Sequence, residues 1–287
     1  MAKKDSLKQQ KFMSFMFRGK EIFKPLNTGH IDERVSCIRE YVANIYFYSK
    51  DGYTIMIDAG YNYDRLAEKM RWLDIRPESI NEIIVTHQDT DHVGAIEVDS
   101  QGLFKTAKIY VGRVENEYLE GRVRRKVYWG LYKLPQVHIE NDKTLIEDGD
   151  IFYTHDIKIE AFLVPGHTWG HLVYLIDDAY LFTGDTIWFG ADGGYAFLNT
   201  LAEDRKLQCT SLKQLEEKLK KRNPTMKIIT GHTGWTDDFE FAFRHVDEIC
   251  NALRRKPKVQ DSKAPYDGFD ESGDTEDKAR TVILEKC

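Results

Sequence analysis

The sequence predicts an α/β protein in four layers, two sheets face to face with helices outside. Three observations predict it. Short apolar runs bounded by turn residues recur in both halves of the chain. Helical patterns follow the strands in each half, which suits sheets that bury one face against each other and the other against helices. Histidines and aspartates gather just after the strands, where ligands of α/β proteins collect. At 287 residues the chain can bury one large core, so residues 1–258 are assigned to a single domain and 259–287 to a polar tail.

Residues 1–30 read as an irregular arm or an edge strand. YVANIYFYS (41–49) and YTIMIDAG (53–60) form two strands joined by a tight turn at Asp51-Gly52. Leu66, Met70 and Leu73 share one face of a helix over 63–75, and Pro77 follows its end. Ile83 to Val85 is a buried strand ending at His87, with a short helix after His92, and 108–112 is another strand. The aromatic, basic stretch 115–134 reads as a long helical or mixed segment. In the second half, 151–156, 157–166, 171–177, 179–185 and 226–234 read as strands, with turns at Gly149-Asp150 and Asp177-Asp178. Helices are expected over 211–222 and 237–256. The tail is turn-rich and polar, with part of it expected to be disordered or loosely draped.

Composition narrows the classes. A net charge of -6 and a pI near 5.9 argue against nonspecific binding to nucleic acid or anionic membranes. No apolar run approaches the roughly 18 residues of a membrane span, and the basic beginning lacks a signal-peptide core. A cytoplasmic location is expected. Cys37, Cys209, Cys250 and Cys287 are scattered without metal-ligand spacing and read as free thiols.

The chemistry lies in four short motifs. THQDTDH (86–92) packs two imidazoles and two carboxylates, His87, Asp89, Asp91 and His92, into six residues, and Zn²⁺ or Fe²⁺ accepts both ligand types. PGHTWGH (165–171) holds His167 and His171, one suited to ligation and the other to support or to the core. TGD (183–185) places Asp185 at a strand end, where two carboxylate oxygens can bridge two cations. TGHTG (230–234) presents His232. Together these groups suffice for two divalent ions sharing a bridging group, a site that activates water and stabilises an oxyanion.

These stations, in this order over residues 58–234, resemble the metallo-β-lactamase superfamily of αββα hydrolases, whose motif is HxHxDH followed by PGHTxGH, GD and a final histidine. The resemblance implies that His87 and His167 bind one metal and that Asp91, His92 and His232 bind the other. It makes Asp185 the bridge, Asp58 a group orienting a ligand, and His171 an outer residue of its motif. Zinc is the expected ion. One station departs from the pattern, since Asp89 stands where the family has its second histidine. A carboxylate there would add negative charge and favour Fe²⁺ or Mn²⁺. A carboxylate at this station also resembles the di-iron relatives.

The resulting expectation is hydrolysis of a small ester, lactone or thioester by hydroxide activated at a dinuclear centre, with Asp91 carrying the proton to the leaving group. Tyr195 is a candidate hydrogen-bond donor to a carbonyl. Trp169, Trp188, Phe189, Phe197 and Trp235 are candidate pocket walls. Three rivals stand beside this reading: a flavin-independent di-iron oxidoreductase or oxygen sensor, a nuclease using the basic run 122–126, and a metal-binding sensor without turnover. The segment 115–134 also offers a face to a second copy of the chain.

Overall fold

The computed structural model describes residues 23–40, 42–61, 63–97, 104–222, 225–249 and 260–271. The arm over 1–22, Cys250, Cys287 and the end of the tail lie outside the described residues.

Two sheets form the centre. The first runs Gly29–His30, Val35–Glu40, Ala43–Lys50, Tyr53–Ile57, Glu82–Val85, Lys108–Gly112 and Lys143–Ile146 in spatial order, antiparallel through its first four strands and parallel through the rest. The second runs Ile151–Thr154, Ile157–Leu163, Leu172–Ile176, Tyr180–Phe182, Lys227–Ile229 and Trp235–Thr236, with its one parallel pairing at Tyr180–Phe182. The turn at Asp51-Gly52 has φ of 49° and 81°, the doubly positive pair that a tight hairpin needs, and Asp177-Asp178 repeats it at 46° and 54°.

Period-two alternation divides each strand between two cores. Ile84 faces the second sheet and packs with Ile57, Tyr174 and Phe182. Its neighbours Ile83 and Val85 face outward and pack with Leu66 and Met70 of the helix Tyr63–Trp72. On the opposite side, Leu212, Leu215 and Leu219 of the helix Arg205–Lys220 cover the outer face of the second sheet. Asp204 caps that helix by accepting the N–H groups of Lys206 and Leu207 at 3.0 Å. The layers are therefore helix, sheet, sheet, helix. Among the described residues, no helix is long and apolar enough to cross a membrane.

Two expected helices take other forms. The stretch 115–134 contains only the end of the helix Arg113–Leu119, followed by a small hairpin of Lys126–Val127 and Tyr132–Lys133. Tyr128, Trp129 and Gly130 all take positive φ at its tip, which closes the hairpin and ends any helix. Of the stretch 237–256, residues 250–256 lie outside the described residues, and the rest forms the helix Phe239–Phe243 and then the strand His245–Ile249, because that strand finds a parallel partner in Gly194–Ala196. The close approach is permitted by Gly194, where a Cβ would lie 1.9 Å from the carbonyl oxygen of Ala242.

The tail returns to the body. Asp261 accepts from the backbone and side chain of Asn27, and Lys263 pairs with His30 through the backbone. Glu271 is buried against Thr28 and Lys69.

Candidate metal centre

The strand Glu82–Val85 ends by delivering Thr86 and His87 to one rim of the sheet pair, and the helix Thr90–Val93 begins immediately. That helical turn swings Asp91 and His92 back toward His87, so the rings of His87 and His92 lie 4.1 Å apart. The ends of Leu172–Ile176, Tyr180–Phe182 and Lys227–Ile229 belong to the facing sheet. The loops bordering them bring His167, Asp185 and His232 to the same point.

Two groups of ligand-type atoms result, His87 with His167 and Asp185, and Asp91 with His92 and His232; within each group the atoms lie within 4.8 Å of one another. Asp185 touches both. Its Oδ2 is 3.0 Å from His232 Nε2 and 3.7 Å from His167 Nε2, and its Oδ1 is 3.3 Å from His92 Nε2. Ligands held about 2.0–2.1 Å from a tetrahedral cation stand about 3.4 Å apart, so these spacings suit one.

Three of the histidines are aimed by their other nitrogen, His87 through the Thr86 hydroxyl 3.0 Å from its Nδ1. His232 Nδ1 faces the carbonyl of Val42 at 2.5 Å, which only an N–H satisfies, leaving the Nε2 lone pair toward the centre. His92 Nδ1 faces Asp58 Oδ2 at 2.8 Å, and Asp58 is itself fixed by the backbone N–H and hydroxyl of Thr86, both at 2.8 Å. His171 accepts the backbone N–H of Asp185 at 3.0 Å, so its Nε2 is committed to holding Asp185 and not to a cation.

The donor set fits a cation. His87 Nε2, His92 Nε2 and Asp185 Oδ1 are buried without a hydrogen-bond partner, a condition that costs roughly 1–3 kcal/mol per group unless something satisfies it. Burial holds His87 below its ordinary protonation range, and burial with the Arg125 guanidinium does the same for His167. Burial lowers His92 and His232 as well, but the Asp185, Asp58 and Asp91 carboxylates outweigh it at His92, and Asp185 and Asp91 at His232, so both of those rings are raised. Burial pushes the Asp91 carboxyl up.

Gly231 keeps the centre open. A Cβ there would stand 2.5 Å from Asp185 Oδ1 and 3.1 Å from His92 Cε1, and its φ is not left-handed. Gly231→Ala is therefore expected to keep the fold by circular dichroism yet lower metal affinity at least about tenfold in chelator competition, since small displacements of ligands carry that scale of cost.

The cleft over the centre has about 400 Å³ of empty space, part of it open solvent, and is lined by Phe23, Tyr61, Val127, Tyr128, Leu134 and Leu201 together with Asp89, Asp91, His167, Asp185 and His232. The expected aromatic wall is placed differently. Trp188 and Phe189 are fully buried in core clusters, and Trp235 packs between the two sheets. Phe197 backs the rings of His167 and His232 at 5.3 Å without lining the cleft. Trp169 is 45% exposed and also lies off the cleft lining. Tyr195 points its hydroxyl at Asp192, 3.1 Å away, and stacks on His245, so it does not reach the centre. With Ile187–Phe189 paired to Gly194–Ala196, Trp188, Tyr195 and Phe197 pack behind Phe23, Val127, Leu134 and Leu201, which form the wall in their place.

Two residues of the centre escaped the sequence reading. Arg125, inside the basic run 122–126, is buried against Asp89. Glu115 accepts the N–H of Gln88 at 2.8 Å and of Gly170 at 3.1 Å, and the hydroxyl of Thr168, tying two ligand loops together. Burial raises its carboxyl to about 8. Neither had a sequence signal, because both sit in stretches that read as solvated polar surface. Arg122 pairs with Glu117, so two of the run's four cations, Arg122 and Arg125, are engaged within the chain.

The fold and this two-lobed His/Asp centre define a metallohydrolase-type scaffold. The model of the metallo-β-lactamase superfamily matches residues 38–251, and the chain belongs to that superfamily. Its relatives include the probable polyketide biosynthesis zinc-dependent hydrolase BaeB of Bacillus velezensis, 26% identical over 62% of this chain and 67% of that protein. The hydroxyacylglutathione hydrolase of Pelagibacter ubique is 26% identical over 68% of each chain. That of Aeromonas hydrophila is 27% identical over 55% of this chain, which spans only 52% of its length. Among solved structures, a subclass B3 metallo-β-lactamase with an active-site glutamic acid superposes with a TM-score of 0.58 at 15% identity, over 78% of this chain and 87% of that one, a likeness of fold.

Proposed function

We propose that this chain is a metal-dependent hydrolase acting on the acyl bond of a small thioester, ester or lactone. The observation that carries the reading is the pair of converging His/Asp groups with buried, unsatisfied His87 Nε2, His92 Nε2 and Asp185 Oδ1 at the floor of a mostly apolar cleft. His87, His167 and Asp185 would hold one divalent ion, and Asp91, His92, His232 and Asp185 a second. Such ions supply Lewis acidity toward a carbonyl oxygen and make water acidic enough to attack near neutral pH.

The chain's own residues do the rest. Phe23, Val127, Leu134 and Leu201 exclude water around an acyl group, and Tyr61 and Tyr128 border the same space. Asp91 lies on the cleft lining, 3.4 Å from His232 Nε2, placed to take a proton and return it to the leaving atom. The thioester arm draws support from the relatives named hydroxyacylglutathione hydrolases. Zinc draws support from BaeB's description as zinc-dependent.

The test is a panel of acyl-glutathione thioesters, aryl esters, lactones and a β-lactam, assayed before and after chelation. Thioester hydrolysis lost on chelation and restored by zinc is expected. A protein that holds its metal and turns over none of the acyl substrates would refute the reading.

A further inference from the structure

Asp89 occupies the station at which the superfamily motif has an imidazole, and the structure shows how its extra charge is handled. Its Oδ1 accepts from Arg125 Nε at 2.9 Å and from Gln88 Nε2 at 2.6 Å. Its Oδ2 accepts from Arg125 Nη2 at 3.1 Å while standing 3.2 Å from His167 Nε2 and 3.7 Å from His87 Nε2. Oδ2 therefore lies at ligand-to-ligand spacing from the two histidines of one group. Arg125 is 2% exposed; its Nη2 also reaches the carbonyl of Leu201 at 2.6 Å and stands 3.2 Å from His167 Nε2, and its Nη1 reaches the carbonyl of Lys126 at 3.0 Å and stands 4.0 Å from Glu203 Oε1.

The charges then sum simply. Replacing an imidazole by a carboxylate adds one negative charge, and a buried guanidinium, which does not deprotonate in proteins, returns one positive charge. The two-point fork also fixes the carboxylate plane, which a short aspartate needs if one oxygen is to stay on the seat.

We propose that Arg125 and Asp89 act as one neutral ligand unit. In it Arg125 is a positioning residue that neutralises the carboxylate and aims Asp89 Oδ2 at the cation seat shared with His87, His167 and Asp185. The inference rests on the reading that these groups hold cations, but not on any particular substrate. It replaces the expectation that Asp89 makes the seat more anionic than an imidazole would. Because the same guanidinium holds Leu201 and Lys126, next to Val127 of the cleft wall, seat and wall are set by one residue.

The experiment measures zinc per chain by elemental analysis after equilibrium dialysis, and stepwise affinity by chelator competition. It uses the full chain and the variants Arg125→Met, Arg125→Lys, Asp89→His and the double variant Arg125→Met/Asp89→His. The parent is expected to bind two ions. Arg125→Met should weaken one of them by about 10–100-fold, the usual scale for losing a residue that supports a ligand, and leave the other unchanged. Arg125→Lys, which keeps the charge and loses the fork, should fall between. Asp89→His alone should also weaken that ion, since it leaves the guanidinium buried against an imidazole, and the double variant should recover it.

Melting of the metal-free proteins separates these effects from misfolding. If Arg125→Met does not fold, Arg125→Lys and the double variant decide. The proposal is overturned if Arg125→Met binds both ions as the parent does, if the parent binds fewer than two and Arg125→Met gains one, or if the folded double variant does not recover. Two ions bound with these differences but no acyl turnover would sink the hydrolase reading and leave the ligand unit standing.

Discussion

Asp185→Asn is expected to lower both metal occupancy and turnover by at least about 100-fold, the upper end of what loss of a supporting residue costs and a lower bound for a shared ligand. Among the described residues, Asp185 is the carboxylate placed against histidines of both groups. Asp185 Oδ2 faces His232 and His167, and Oδ1 faces His92. Were two ions bound as proposed, removing its charge would take a counter-charge from both, whereas His87 or His232 belongs to one group. The backbone should tolerate the change, because His171 holds the Asp185 main-chain N–H and not its carboxylate. Ions per chain and kcat measured on the same preparation check the prediction. A variant that loses one ion and keeps the other at parental affinity would show that Asp185 is not shared.

The contrast between Asp185 and Arg125 shows what the sequence makes legible. Asp185, His92 and His232 lie at or just beyond the ends of short apolar strands and beside small residues, so the sequence marks them as ligand-type groups at strand ends, and the motif order marks them as one site. The layers are legible through alternation: Ile83, Ile84 and Val85 split between two cores as period two requires. Arg125 is placed by a hairpin whose tip needs three consecutive positive φ values at Tyr128, Trp129 and Gly130. Tyrosine and tryptophan give no local hint of that conformation. The cleft wall fails similarly. Trp188 and Tyr195 follow Asp185 in sequence, yet the antiparallel pairing of their strands carries them into the core, and the wall comes from Phe23, Tyr128 and Leu201. Local patterns determine what lies on a strand end, while pairing between distant loops determines what covers it.

The tail obeys the same distinction and carries the largest stability prediction. Its composition reads as loosely draped, but Glu271 is 6% exposed and receives the Lys69 ammonium at 2.8 Å, the Thr28 N–H at 2.9 Å and the Thr28 hydroxyl at 2.7 Å, with Arg39 at 3.5 Å. Lys69 is itself 1% exposed, on the helix that covers the first sheet. Glu271→Ala removes a buried carboxylate that Lys69 and Arg39 both face, a change that costs about 3–5 kcal/mol and, for a domain of this size, lowers Tm by roughly 10 °C. Truncation after residue 258 should cost at least as much. Glu271→Gln should cost less, since the amide oxygen still accepts from Lys69. Burial pushes the Glu271 carboxyl up, but Lys69 and Arg39 outweigh it and hold it below the ordinary glutamate range. A depressed carboxylate contributes stability that is present above its unfolded pKa and disappears as pH falls through its folded one. The melting gap between parent and Glu271→Ala should therefore be widest at neutral pH, begin to narrow below about pH 4, where unfolded glutamates protonate, and close only below the lower folded value. A gap that stays constant down to pH 3 would mean that packing, and not the ion pair, anchors the tail.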